Sequence, residues 1–476
     1  MDSGLSPAYP LTACIESSFM LNSLIETDRN HLIHPVLSWK EHEQRGATIL
    51  ESGQGAFVRD AEGRALLDGF SGLWCVNVGY GQESIVRAAT EQMARLPYAT
   101  GYFHFGCEPA IRLAGQLAEL APGDLNHVFF TLGGSDAIDT ASRLIRYYFN
   151  AIGLPAKKQV IALDKGYHGS SSTGAGITGL SPFHKRFDAP WENQHHIPTI
   201  YPYRHETGDN QAVIDASVFL LKQKIAALGA ENVAAFFCEP IQGSGGVLIP
   251  PMGWLRAMRN LCKEHDILFV ADEVITGFGR TGPLFACEHE GIVPDIMTVA
   301  KGLTAGYAPM GAVLLSDTIY RAIADRTPAG EVVGHGFTYS AHPVSAAVGL
   351  EVLRLYLEGG LLENGKKVGG YFGERLTDLI HHPLVGDVRS RGLLAGVELV
   401  TDKATKRKPA PDLRISQSLA RLGYENGLIF RAFADGVVGF APPLCCGATE
   451  IDLLIERFRK TLDDLLKMKE VRDALN

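Results

Sequence analysis

Short apolar runs recur through the middle of the chain: 127–131 (HVFFT), 159–163 (QVIAL), 234–238 (AAFFC), 267–271 (ILFVA), 296–300 (IMTVA) and 311–315 (GAVLL). Runs apolar on both sides suit strands buried on both faces of a mostly parallel sheet. Between them, segments such as Asp136–Phe149 and Trp254–His265 repeat apolar residues at helical spacing. This alternation predicts an α/β fold with a covered sheet over roughly residues 80–335. The order then changes to helices at 343–358 and 364–381, a strand-like stretch at 387–399, a helix at 413–426, strands near 428–432 and 437–441, and a last helix at 448–467. That is the pattern of a smaller α+β unit. The first 75 residues start polar and turn-rich and then carry a hairpin, Ala56–Asp68, turning at Asp60 to Arg64. The expected division is an N-terminal segment, 1–75, packing with the small domain, a large domain, 76–335, and a small C-terminal domain, 336–476.

Composition narrows the function classes. A chain of 476 residues, 46% hydrophobic and 20% charged, is an ordinary globular protein with room for a large core. Lys and Arg total 44 against 53 Asp and Glu, and the net charge of −9 repels phosphate backbones. Lys403–Lys408 is the one short basic cluster, so no nucleic-acid partner is expected. The eight cysteines, at 14, 75, 107, 238, 262, 287, 445 and 446, form no Cys-x-x-Cys pair, so neither a metal site nor a disulfide framework is expected of them. Met1–Thr12 lacks a basic, apolar leader, and no window reaches the ~18 apolar residues of a membrane span. A cytoplasmic protein without membrane contacts is expected.

The segment 267–302 carries the most chemistry. An apolar strand ends in Asp272 and Glu273, and Lys301 follows the next apolar strand. Ligands of open parallel sheets sit at the carboxyl ends of the strands, where both Asp272 and Lys301 fall. A lysine and an aspartate meeting in one apolar pocket are what pyridoxal phosphate requires: the amine forms a Schiff base with the aldehyde, and the carboxylate keeps the pyridine nitrogen protonated. Taken alone, the pair is equally compatible with a surface lysine and an ordinary strand-end aspartate.

The surrounding residues decide between these. Segments 269–282 (FVADEVITGFGRTG) and 294–303 (PDIMTVAKGL) resemble the class III (subgroup II) pyridoxal-phosphate aminotransferases. The resemblance extends over about residues 30–465. It implies fold type I, an obligate homodimer with shared active sites, and a ping-pong exchange between amine and keto acid; assembly to a tetramer is left open. By the same resemblance Lys301 holds the cofactor, Asp272 pairs with the ring nitrogen and Val274 packs on one ring face.

Other segments extend this. In 131–139 (TLGGSDAID) a glycine turn feeds a helix, whose N-terminus offers N–H groups to an anion. By resemblance Gly134 and Ser135 hold the phosphate; Asp136 stands where the family usually has Glu. Tyr167, in Tyr167-His168-Gly169, is an aromatic at a strand end able to stack on a planar ring, and the resemblance gives it the second ring face, with His168 as support. Thr338, in 336–342 (GFTYSAH), matches a threonine that reaches the phosphate of the neighbouring subunit. Glu239 and Gln242, in 239–246 (EPIQGSGG), match residues lining the ring.

The substrate side rests on Arg431, in 428–433 (LIFRAF), and Trp74, in 72–81 (GLWCVNVGYG). A guanidinium fork recognises a carboxylate bidentately. Both segments resemble the omega-amino acid and amine:pyruvate branch, where the matching Arg swings in for a keto acid and out for an apolar amine. Ser244 departs from branches using α-ketoglutarate, which commonly carry a Glu there to neutralise the Arg. The expected acceptor is therefore pyruvate, and the donor a primary amine, diamine or omega-amino acid. An α-ketoglutarate-dependent aminotransferase, a decarboxylase or an aminomutase uses the same fold. A nicotinamide dehydrogenase is the rival from another class, through Gly277–Gly282 (GFGRTG), but Pro283 and Pro294 interrupt the helix and strand that motif needs.

Overall fold

The computed structural model describes residues 11–475, so the first ten residues of the polar start lie outside it. A helix, Leu11–His31, stands where the sequence pattern predicts turns. Its apolar residues are spread around the axis, which leaves no helical periodicity to read. Three antiparallel strands follow, β1 (Leu50–Gln54), β2 (Phe57–Asp60) and β3 (Ala65–Asp68). β2 and β3 are the expected hairpin. Asp60 shapes its turn by accepting hydrogen bonds from the N–H groups of Glu62 (3.0 Å) and Arg64 (2.8 Å). β1 is almost wholly exposed and so shows no buried alternation.

The large sheet consists of β4 (His127–Thr131), β5 (Gln159–Leu163), β6 (Gln194–Ile197), β7 (Val233–Cys238), β8 (Leu268–Asp272), β9 (Ile296–Val299) and β10 (Gly311–Leu315). Its order is β4-β10-β9-β8-β7-β5-β6, and every pairing is parallel except the two made by β10. Six strands are the apolar runs of the sequence. The seventh, β6, is an edge strand reading QHHI, with only its two end residues buried.

Both faces of the sheet are covered, which is why its inner strands are continuously apolar. Ala235, Phe237 and Val270 pack under the helix Gly134–Ala151 through Ala137, Ile138 and Ala141. Phe236, Cys238 and Phe269 point the other way, towards Leu255, Met258 and Leu261 of the helix Trp254–Glu264. Alternation along each strand thus divides one apolar run between two cores.

The C-terminal unit holds β11 (Val385–Arg391), β12 (Leu394–Leu399), β13 (Leu428–Ile429), β14 (Arg431–Ala432) and β15 (Val437–Phe440). The single strand-like stretch at 387–399 is a hairpin, turned by Gly392 at φ +59°. A Cβ on Gly392 would come within 2.5 Å of the Thr281 backbone, so glycine is required by close approach as well as by φ. β11, β12, β15 and β14 form an antiparallel sheet, while β13 pairs in parallel with β3. Among the described residues no helix is long and apolar enough to cross a membrane.

Arg280 joins these parts from a fully buried position. It donates to Pro442 O (2.6 Å), Asn77 Oδ1 (2.6 Å), Leu393 O (3.3 Å) and Ser71 Oγ (3.3 Å). Burial pulls its pKa down to about 10. Arg280→Ala opens a cavity and deprives four buried acceptors of their donor, so it is expected to cost about 3 kcal/mol or more in urea unfolding. A loss below about 1 kcal/mol, the worth of one ordinary hydrogen bond, would contradict this role.

Candidate active site

The carboxyl edge of the large sheet gathers the expected chemistry. β8 ends at Asp272, β9 is followed by Lys301, β7 by Glu239, β5 by Tyr167 and His168, and β4 by the helix Gly134–Ala151. Gly134, Ser135, Tyr167, His168, Glu239, Asp272, Val274 and Lys301 line one cavity of about 190 Å³. Lys301 sits at φ +39°, a backbone conformation that L-residues rarely adopt. Such strain persists where surrounding packing holds it, and it collects at functional sites.

Asp272 is held by three hydrogen bonds. Its Oδ2 accepts from His168 Nδ1 (2.8 Å), and its Oδ1 from the Val274 N–H (3.1 Å) and the Thr298 hydroxyl (3.2 Å). The carboxylate fixes the histidine proton on Nδ1. Burial alone would lower the His168 pKa, but the hydrogen bond and charge of Asp272 outweigh it and hold the value above the ordinary one. Glu273 faces the opposite way, accepting from Thr276 Oγ1 and the Cys287 N–H, and takes no part in the cavity.

For the Lys301 amine burial dominates and lowers the pKa, against the opposing carboxylates of Asp272 and Glu239. Glu239 is also buried, its two oxygens accepting from the Tyr167 N–H (2.8 Å) and the Gly243 N–H (2.9 Å). Burial pushes its pKa up to about 7.

At the other end, the helix Gly134–Ala151 opens into the cavity with its first N–H groups. A Cβ on Gly134 would stand 3.0 Å from Val274 Cγ1, so the glycine lets the helix start close on the residue after Asp272. Ser135 Oγ accepts from the Ser170 N–H at 3.2 Å, which ties the helix start to the 167–171 turn.

Four residues singled out in the sequence do not line this cavity. Gln242 stands behind it: its Nε2 donates to Asp164 O (2.9 Å) and its Oε1 accepts from the Thr199 hydroxyl, so it props the 164–167 turn rather than touching the ring space. Trp74 is buried one layer back, edge-on to Phe70 (4.6 Å between centres), and its neighbour Leu73 faces the cavity. Arg431 is exposed, its guanidinium 5.5 Å from the centre of the Phe433 ring. Thr338 is also exposed, its carbonyl accepting from the Tyr98 hydroxyl (2.8 Å). Leu73, Gly169 and Ile275, which the sequence reading passed over, complete the lining. They are ordinary apolar or small residues, and only their adjacency to Trp74, His168 and Val274 marks them. Thr298, likewise unnoticed, is a strand residue whose hydroxyl steadies Asp272.

A buried amine and a hydrogen-bonded carboxylate line one cavity that a helix N-terminus closes at one end, an arrangement suited to an anionic ligand. Comparisons with known proteins give the family. The family model Aminotransferase class-III matches residues 39–462. The putrescine–pyruvate aminotransferase of Pseudomonas aeruginosa is 42% identical over 439 residues, 91% of this chain and 94% of its own. An (S)-enantioselective omega-transaminase from Thermomicrobium roseum has a TM-score of 0.91 at 39% identity, covering 94% of this chain and 99% of its own. The omega transaminase of Pseudomonas jessenii in complex with PMP has a TM-score of 0.91 at 38% identity, covering 93% and 98%. The chain belongs to the class III aminotransferases.

Glu239 gives this site a pH signature. It titrates near 4.5 when unfolded and near 7 when folded. Between those values the folded state keeps a proton that the unfolded chain has released, so the Glu239 contribution to stability falls as pH rises through the window and is level on either side. The unfolding free energy of the wild type minus that of Glu239→Gln is expected to fall between about pH 4.5 and 7. A flat or rising difference would show that the carboxyl is not buried as described.

Proposed function

We propose that this aminotransferase is an omega-transaminase that uses pyridoxal 5′-phosphate to move an amino group from a primary amine, diamine or omega-amino acid to pyruvate. The observation that carries the reading is the meeting of Lys301 and Asp272 in one cavity, with Gly134 and Ser135 at its helix-capped end. The donor set fits the cofactor: an amine for its aldehyde, a carboxylate for its ring nitrogen, backbone N–H groups for its phosphate, and Val274 and Tyr167 for the two ring faces. When bound, pyridoxal phosphate supplies an aldehyde that condenses with primary amines and a protonated ring that accepts the electron pair left when the substrate C–H bond breaks.

The chain's own residues do the rest. The lowered pKa of Lys301 increases the fraction of unprotonated amine, the form that attacks a carbonyl and carries a proton as a base. Three hydrogen bonds pin Asp272, so its charge is in place before the reaction and needs no reorganisation. His168 orients that carboxylate, and Glu239 holds the start of the Tyr167 turn. Gln242 acts one layer further out, on the same turn. Trp74 backs the substrate wall through the apolar cluster it shares with Ile275, which lines the cavity.

The enzyme works as a homodimer in which Thr338 of each copy reaches the other's phosphate; its exposure in the single chain is in keeping with this. Of the segment 1–75, the strand β3 joins the small domain 336–476 by pairing with β13, which supports the expected division with 76–335 as the cofactor domain; residues 1–10 lie outside the described residues. The buried, unpaired thiols of Cys238, Cys262 and Cys287 suit the reducing cytoplasm.

Pyruvate as acceptor rests on Arg431 and Ser244. Both half-reactions share one pocket, and a fixed guanidinium would be left unpaired while an amine without an α-carboxylate is bound, at a cost of about 3–5 kcal/mol if buried. Ser244 supplies no neutralising charge. Arg431 instead rests on Phe433 at the surface, from which its long side chain can turn to the carboxylate of a keto acid. Arg431→Ala is expected to raise the KM for pyruvate about tenfold or more, the worth of a charge-assisted hydrogen bond, while leaving the KM of a monoamine donor unchanged. Equal losses for both, or faster turnover of the wild type with α-ketoglutarate than with pyruvate, would overturn the acceptor and leave the cofactor reading intact.

A further inference from the structure

Away from the cavity, the last turn of the helix Leu11–His31 and the helix Trp39–Arg45 meet through three side chains, Asp28, His34 and His42. We infer that these residues form a binding site for one divalent cation of the zinc class, which fastens the N-terminal helix to the helix that follows.

The geometry is that of converging ligands. Asp28 Oδ1 lies 2.6 Å from His34 Nε2, and Asp28 Oδ2 lies 2.9 Å from His42 Nε2. One donor atom from each residue falls within 4.8 Å of the other two, a spacing that a single ion with bonds of about 2.0–2.2 Å can bridge. The Asp28 and His42 side chains are only 8% and 11% exposed, whereas His34 is 27% exposed, leaving a side open for water. Asp28 Oδ2 and His42 Nε2, both screened from solvent, face each other at 2.9 Å and have no other polar neighbour within hydrogen-bond reach among the described residues. Their contact lacks the alignment of an N–H pointing at an oxygen. Buried polar atoms in this condition call for an ion or water.

The chemistry selects the cation. Two imidazoles and one carboxylate with an open position are a zinc-type ligand set, whereas calcium and magnesium take mainly oxygen ligands. The fold gives the ion a task. The helix Trp39–Arg45 buries none of its residues, and Ile33, Val36 and Trp39 beside it are exposed, so within the chain little apolar packing holds the two helices together. Small units without a core of their own are commonly fixed by a metal. The adjacent cation, Arg29, is engaged elsewhere, donating to Gln44 O at 3.1 Å.

The test uses the full-length holoenzyme, dialysed against chelator and then against chelator-free buffer. Titration with Zn²⁺ is expected to saturate at one ion per chain and to slow hydrogen exchange across residues 21–46; Co²⁺ is expected to bind with visible ligand-field bands. His34→Gln and His42→Gln should each weaken zinc binding by more than the ~10–100-fold that loss of an outer hydrogen-bonding partner costs. His31→Gln, altering an exposed histidine outside the cluster, should leave binding unchanged. Binding that survives both His34→Gln and His42→Gln, or no saturable binding to the wild type at micromolar zinc, would overturn the site and leave a metal-free His–Asp–His clamp. Zinc binding without slower exchange at 21–46 would overturn the fastening.

Discussion

Asp272 is a carboxylate with 4% of its surface exposed, and removing such a group from water costs several kcal/mol unless donors replace the lost hydration. The arrangement around the cavity follows from meeting that cost. One donor is the backbone of Val274, which requires the chain to turn immediately after β8. Another is Thr298, on the neighbouring β9, and the third is His168, on the loop after β5. The carboxylate therefore draws together β8, β9 and the β5 loop, and these same elements carry Val274, Lys301 and Tyr167.

The parallel sheet makes this possible because it delivers several strand ends to one edge, each with a loop free to carry chemistry. Burial there has opposite effects on groups of opposite sign. It lowers the pKa of Lys301 and raises that of Glu239, so an amine and a carboxyl group stand close together with less charge than either would bear in water. The helix N-terminus at Gly134 supplies the positive end of a dipole without adding a basic side chain.

Much of this was legible in the sequence because the physics is local. Five strands of the large sheet are buried on both faces, and double burial writes itself as an uninterrupted apolar run; β4, at one edge, is half-buried but still apolar. β6 is an edge strand with two histidines, so nothing distinguished it from a loop. The helix Leu11–His31 has no apolar stripe, and the 387–399 run concealed a reversal that depends on one glycine. At the site, the residues that face the cavity directly follow strand ends, and position relative to a strand end can be read from pattern. Gln242 and Trp74 lie near the cavity in sequence but turn their side chains one layer back, a choice made by tertiary packing with Asp164, Thr199 and Phe70. His168 owes its role to its ring lying against Asp272, a contact no sequence pattern shows.

Lys301 is proposed as the amine that holds the cofactor. Borohydride reduction of the holoenzyme followed by peptide mapping tests it most directly. One pyridoxyl group per chain is expected, on the peptide containing Lys301. A pyridoxyl group on any other lysine, or a chain that takes up no pyridoxal phosphate, would contradict it.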